Sequence, residues 1–287
     1  LQKHQIQPIY LKGAAYILGG FSLSKNRKFS DIDLLFSKHD ISKVEKTLKI
    51  KGFISQKTDD YDQQYYREYM HEIPPLQHVN RGTVLDVHHN ILPICKGVPV
   101  NIELLSELAI DVDFQGTTVK TLSAEGIFIH CAVHLFHEGE FEKGLRDLTD
   151  LAMLYRELSE QNYGFSGQLI KLATKLKLEK NAYLALYYIE QLLNVQLDDD
   201  AQAFVTQYRK QLNWSKLNDF IFTNVLVPHH SSVHCWQFSL AKFLAYWRSH
   251  LLKMPITLLV PHLFKKSIKQ LGGKFEKAEP TKTTPNL

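Results

Sequence analysis

The sequence is short of cysteine, of strong charge of either sign and of long apolar runs, and each shortage excludes something. Only Cys95, Cys131 and Cys235 occur among 287 residues, and no two form a CxxC pair. That argues against a zinc ribbon or a disulfide framework and leads us to expect a reducing, cytoplasmic setting. Lysine plus arginine number 34 against 30 aspartates and glutamates, a net charge of +4. So mild an excess is compatible with a polyphosphate or RNA partner without demanding one, and no DNA partner is expected. No apolar run reaches the roughly 18 residues of a membrane-spanning helix. Residues 254–264 come nearest and are interrupted by Pro255, Pro261 and His262. No signal-peptide pattern opens the chain, which begins on Leu1 rather than Met and so leaves room for a preceding segment.

What is present suffices for a core: 44% of residues are hydrophobic and 22% charged, a globular balance. The first third reads as α+β. Residues 7–11 form a short extended run ending at Lys12-Gly13, and 32–36 a strand. Residues 41–50 carry apolar side chains at helical spacing, stopped by Gly52. Extended runs are expected from 53 onward and over 65–70, on either side of a polar turn at 58–64. Two more are expected over 83–88 and 112–121. From Ser123, a plausible N-cap with Glu125 in the first turn, the pattern turns helical. Helices are predicted over 124–137, 142–159, 165–177, 180–194, 199–210, 215–225 and 236–252. The predicted organisation is therefore an α+β domain over 1–120, a helical domain over 121–270 and a basic, disordered tail over 271–287.

The informative segment is Arg27-Lys28-Phe29-Ser30-Asp31-Ile32-Asp33-Leu34-Leu35-Phe36. On a strand, residues two apart point the same way, so Asp31 and Asp33 present both carboxylates on one face. Two like charges side by side are destabilising unless a cation lies between them, and Mg²⁺ takes carboxylates together with substrate phosphates. Asp86, inside the apolar run Val84-Leu85-Asp86-Val87-His88, supplies a third acid. Three carboxylates can hold two metal ions about 4 Å apart, one activating a hydroxyl and one carrying a triphosphate. Gly13 lets the backbone approach a phosphate. Lys12, Arg27 and Lys28 are candidate phosphate contacts, and His88 shares the strand face of Asp86.

The Leu11-Lys12-Gly13 turn, the basic-Ser-Asp-Ile-Asp-Leu-Leu block and Leu85-Asp86-Val87-His88 together resemble the DNA polymerase β-like nucleotidyltransferase superfamily. Within it, the chain is similar to the uncharacterised bacterial nucleotidyltransferase family, which joins such a domain to a C-terminal helical region. The Lys-Gly and Ser-x-Asp features also resemble nucleotidyltransferase toxins of abortive-infection systems. The resemblance covers about residues 9–90, and more loosely His130, His134 and Arg146 to Leu151. It implies a mixed sheet with helices and a helical C-terminal domain, with Asp31, Asp33 and Asp86 as catalytic metal ligands. Lys12, Gly13, Arg27, Lys28, Ser30 and His88 would bind the nucleotide. It also implies NTP (ATP among them) as substrate, with Mg²⁺, or Mn²⁺ in its place, and nucleotide transfer to a small molecule, a peptide or protein, or an RNA end. In one departure, Ala14 follows Gly13 where the superfamily has Ser or Gly. The spacing of Gly19-Gly20 to Asp31 suits the superfamily better, although Gly13 follows the strand.

Blander readings stand beside these. Asp-x-Asp alone is commonly a solvated turn, and Asp86 has a rival reading as a strand-edge acid paired to lysine. His130, His134 and His137 form one helical stripe, read as packing toward the site rather than as a zinc centre, which would need further ligands. Arg146 and Asp150, four apart, are expected to pair along a helix. Tyr61 to Tyr69 is read as strand and turn, with a cover over the site as the sharper alternative. His229, His230, His234 and Cys235 read as a loop. The function predicted is metal-dependent nucleotide transfer. A non-catalytic nucleotide- or partner-binding module, for which Ala14 speaks, and a tRNA-directed toxin are the alternatives.

Overall fold

The computed structural model describes residues 6–57, 59–93, 100–137, 139, 141–213, 215–233, 235–253, 257 and 259. Cys95, His234, most of the apolar stretch 254–264 and the tail predicted at 271–287 lie outside the described residues. The α+β part holds a mixed sheet of seven strands, in the order β3-β4-β5-β2-β1-β7-β6. The strands are β1 (Ile9–Tyr10), β2 (Asp31–Leu35), β3 (Phe53–Ser55), β4 (Leu76–His78), β5 (Val84–His88), β6 (Ala109–Phe114) and β7 (Thr117–Leu122). Helices α1 (Lys12–Leu18), α2 (Ile41–Ile50), α3 (Asp60–Tyr69) and α4 (Ile102–Glu107) are interspersed. Strand β2 runs parallel to β5 and antiparallel to β1, which is itself parallel to β7.

The sheet separates two apolar cores. On one side α2 buries Ile41, Val44 and Leu48 against Leu34, Leu85 and Val87. On the other, Leu11, Tyr16 and Leu35 join a larger cluster built mainly from the helical part. That part comprises α5 (Ala124–His137), α6 (Gly144–Gln161), α7 (Phe165–Leu176), α8 (Glu179–Leu193), α9 (Asp199–Gln211), α10 (Ser215–Val225) and α11 (Trp236–Lys253). These bounds follow the periodicity closely, because each helix buries an apolar stripe. Asn194 ends α8 in a left-handed conformation, a common helix stop. Helix α5 is buried on nearly all sides. Its Phe136 meets Phe222 of α10 edge to face at 5.0 Å, and each buried aromatic of this kind contributes roughly 1.5–3 kcal/mol.

The tyrosine-rich segment departs from the expected strand and turn: residues 60–69 are helix α3. Asp59 decides it, its carboxylate accepting from the backbone N–H of Tyr61 and Asp62 at 3.1 and 3.2 Å. Asp60 and Asp62 favour the helix dipole in the same turn. Arg67 then ties α3 to α2 through two bonds to Glu45, at 2.9 and 2.8 Å. The single extended piece expected over 112–121 is instead a hairpin of β6 and β7. Gln115 and Gly116, with φ of 53° and 76°, supply the left-handed pair that a two-residue turn demands.

Candidate functional site

The register of β2 against β5 builds the site's floor. Asp31 lies beside Val84, Asp33 beside Asp86, and Leu35 beside His88. Paired residues on adjacent strands point to the same side, and every second residue shares that side. Asp31, Asp33, Asp86 and His88 therefore share the face turned toward the helical part, while Leu34, Leu85 and Val87 enter the core beneath α2. An open cleft of about 630 Å³ lies over that face. Lys12, Gly13, Arg27, Lys28, Ser30, Asp31, Asp33, Asp86 and His88 all line it.

Asp33 is the most deeply set of the acids, 3% exposed. The backbone N–H of Leu11 donates to the Asp33 carbonyl at 3.0 Å, which brings the following residue alongside. Lys12 adopts φ of 45°, a left-handed conformation that costs a lysine roughly 1–2 kcal/mol. Its ammonium meets Asp33 Oδ1 at 2.7 Å. His88 Nε2 stands 3.1 Å from the same oxygen. Burial opposes the charge on Asp33, but the His88 hydrogen bond and the Lys12 ammonium outweigh it and hold the carboxyl well below the usual range. Burial likewise opposes the charge on Lys12, and Asp33 overcomes it, raising the ammonium above its ordinary value.

Asp86 is in the opposite state. Burial, and then the neighbouring carboxylates of Glu72 and Asp33, push it up to about 6. Its Oδ1 is buried and has no hydrogen-bond partner. An acid with an unmatched buried oxygen, crowded by other carboxylates, is a place where a cation relieves both problems. Asp31 sits nearer the surface and accepts from the Ser30 hydroxyl at 3.2 Å.

Not every candidate stands free for a phosphate. Arg27 is committed to the helical part: it pairs with Asp150 of α6 and approaches Asp147 at 3.8 Å. Its guanidinium also lies 5.3 and 5.5 Å from the Tyr16 and Phe29 ring centres. Arg146, expected to pair with Asp150, bonds Asp147 instead at 2.9 and 2.7 Å. Asp150 faces inward toward Arg27, whereas Arg146 is exposed. Lys28 lines the cleft and is exposed. Gly13 has a packing reason of its own, since a Cβ there would fall 2.1 Å from Phe29 Cδ1. Gly19 and Gly20 follow the far end of α1, away from the cleft-lining residues.

The histidine stripe divides. His134 lines the cleft, and buried His130 is held down to about 3 by burial and then by the charges of Lys12 and His88. His137 turns elsewhere, its Nδ1 lying 3.1 Å from Asn181 Nδ2. His229 and His230 are exposed beside a 3-10 turn, Ser231–Val233. Tyr66, Met70, His71 and Glu72 also line the cleft; the sequence offered Tyr66 only through the alternative that residues 61–69 cover the site, and did not single out Met70, His71 or Glu72. Tyr66 belongs to the helix read as turn and strand. Its hydroxyl is pushed up to about 12 by burial and then by Glu72 and Asp86. The adjacent His71-Glu72 pair just before buried Ile73 was the available signal for those two residues.

The three aspartates fit a hard divalent cation, which prefers oxygen ligands. They share a face without forming a tight group, and Lys12 and His88 both engage Asp33. Among the described residues, the group of three metal-ligating side chains whose ligand atoms lie within 4.8 Å of one another is His71, Glu72 and His88. No described helix is long and apolar enough to cross a membrane. A family model described as "Uncharacterised nucleotidyltransferase" matches residues 1–194. No curated protein and no solved structure matches the chain.

Proposed function

The chain belongs to the uncharacterised nucleotidyltransferase family, and on that premise we propose that it moves a nucleoside monophosphate from an NTP to a hydroxyl or phosphate acceptor with the help of divalent cations. The observation that carries this reading is the β2–β5 register, which sets Asp86 directly beside Asp33 on the face that Asp31 shares. Asp31, Asp33 and Asp86 would hold Mg²⁺ or Mn²⁺, which neutralises the triphosphate and lowers the pKa of an attacking hydroxyl. Lys12, Lys28 and Ser30 line the same cleft and suit phosphate oxygens. His88 holds Asp33 in position through its 3.1 Å contact. Arg27 braces the cleft by tying the Asp-bearing segment to α6.

In the transfer, the acceptor oxygen forms a bond to the α-phosphorus as the bond to pyrophosphate breaks. The acceptor's proton passes to a base, and Asp86 is the candidate carboxylate for that role. Positioning and charge neutralisation supply most of what such a reaction needs. The helical part, whose α5 and α6 contribute His134, Asp147 and Asp150 to the cleft wall, would select the acceptor. RNA ends, peptides and small molecules remain the acceptor classes.

The 2.7 Å Lys12–Asp33 pair favours a second reading, a nucleotide-binding module in which that ammonium replaces a cation and no transfer occurs. Mass spectrometry of NTP reactions across the three acceptor classes separates the two. We expect a nucleotidylated product and pyrophosphate with wild type and Mg²⁺, and neither with Asp33→Asn. NTP binding without pyrophosphate release under every condition would favour the module.

A further inference from the structure

His71, Glu72 and His88 offer one ligand atom each within 4.8 Å of the other two, at one wall of the cleft. Two chain segments bring them together. An isolated bridge pairs Glu72 with His88, and the N–H of His89 donates to the His71 carbonyl at 2.8 Å. The two imidazoles stack at 5.3 Å between ring centres. His88 has a side chain only 3% exposed, and its Nδ1 is buried without a hydrogen-bond partner. The Nδ1 of His71 is buried and unsatisfied in the same way. Glu72 Oε2 stands 3.5 Å from His88 Nδ1. Buried imidazole nitrogens without partners are costly to leave unmatched.

We infer that His71, Glu72 and His88 form a second metal site, distinct from the aspartate site and specific for a zinc-class divalent cation. Two histidines and one glutamate are the donor set of three-ligand zinc centres, with a fourth position left to water or substrate. Imidazole suits zinc, whereas Mg²⁺ prefers oxygen ligands. A metal-bound histidine commonly directs its other ring nitrogen at a carboxylate that orients it. His88 is so placed: Nδ1 faces Glu72 while Nε2 stands 3.1 Å from Asp33 Oδ1. The contact between His88 and Asp33 would link the zinc-class ion to the aspartate site. The inference stands whether or not nucleotide transfer is detected.

The test is elemental analysis of the full chain, purified without chelator, dialysed against Zn²⁺ and desalted. We expect about one zinc per chain, a visible d–d spectrum when Co²⁺ replaces it, and no displacement by excess Mg²⁺. Asp31→Asn should keep the zinc. His71→Ala and Glu72→Gln should each weaken it by more than the roughly 10–100-fold that loss of an outer-sphere partner costs. A folded wild-type chain that retains no zinc overturns the site, as does zinc held equally by both variants. X-ray absorption of the zinc-loaded wild type decides the matter without any variant. Imidazole and carboxylate ligation supports the site, and sulfur or all-oxygen ligation overturns it.

Discussion

Asp86→Asn should stabilise the chain while ending its activity. Asp86 stands at about 6 in the folded chain against an ordinary 3.8, so the folded state binds the proton more tightly than the unfolded one. Well below 3.8 the carboxyl is protonated in both states and costs little; at pH 4 the unfolded chain is already somewhat more than half ionised, which leaves a cost of about 0.5 kcal/mol. As pH rises from about 4 to about 6 the unfolded chain releases the proton first, and stability falls. Above about 6 the loss levels off at about 3 kcal/mol, from about 1.4 kcal/mol for each pH unit separating the two values. That figure is an upper bound, because Asp86 retains some solvent contact. Asparagine, which never ionises, removes the cost. Urea denaturation in EDTA at pH 4 and pH 8 measures it. The variant should be more stable by about 1–3 kcal/mol at pH 8 and nearly equal at pH 4, and Mg²⁺ at pH 8 should stabilise wild type more than the variant. A variant less stable than wild type at pH 8 would refute the reasoning, since it would mean that the charged carboxylate is already matched.

Arg27→Met should leave Asp150 buried without its partner and cost about 3–5 kcal/mol in urea denaturation; an effect below 1 kcal/mol would mean that the pair is dispensable. Gly13→Ala should cost about 1–3 kcal/mol through its clash with Phe29. The double variant with Phe29→Leu should recover part of that loss, whereas strictly additive losses would point to a role for Gly13 other than packing. If Asp86 takes the acceptor's proton, turnover with Mg²⁺ should fall as pH drops through an inflection at or below about 6, the cation favouring the charged carboxylate. A pH-rate profile flat from 4 to 8 would remove it from that role.

Much of this architecture was legible because local pattern and tertiary packing agree. The helices from Ala124 to Lys253 bury the stripes their spacing announces, and the Asp-Ile-Asp alternation fixes which side chains share a face. Asp86 was legible for the same reason, an acid alternating within an apolar strand. Partners distant in sequence were not. Arg146 and Asp150 have ideal helical spacing, but Arg27, 123 residues before Asp150, reaches it from across the cleft, and a buried partner prevails over an exposed neighbour. Helix α3 was misread because tyrosines favour strands, while Asp59 capped the N–H groups that a helix leaves open. His71 and Glu72 acquire meaning only beside His88, and that adjacency comes from a bridge the sequence does not announce.

The most direct test of the central claim is a crystal grown with Mn²⁺ and a non-hydrolysable NTP analogue, read by anomalous scattering. We expect a manganese peak bounded by Asp31, Asp33 and Asp86, with Lys12 drawn from Asp33 toward the phosphates. Nucleotide bound in the cleft with Lys12 still on Asp33 and no manganese at the aspartates would contradict it.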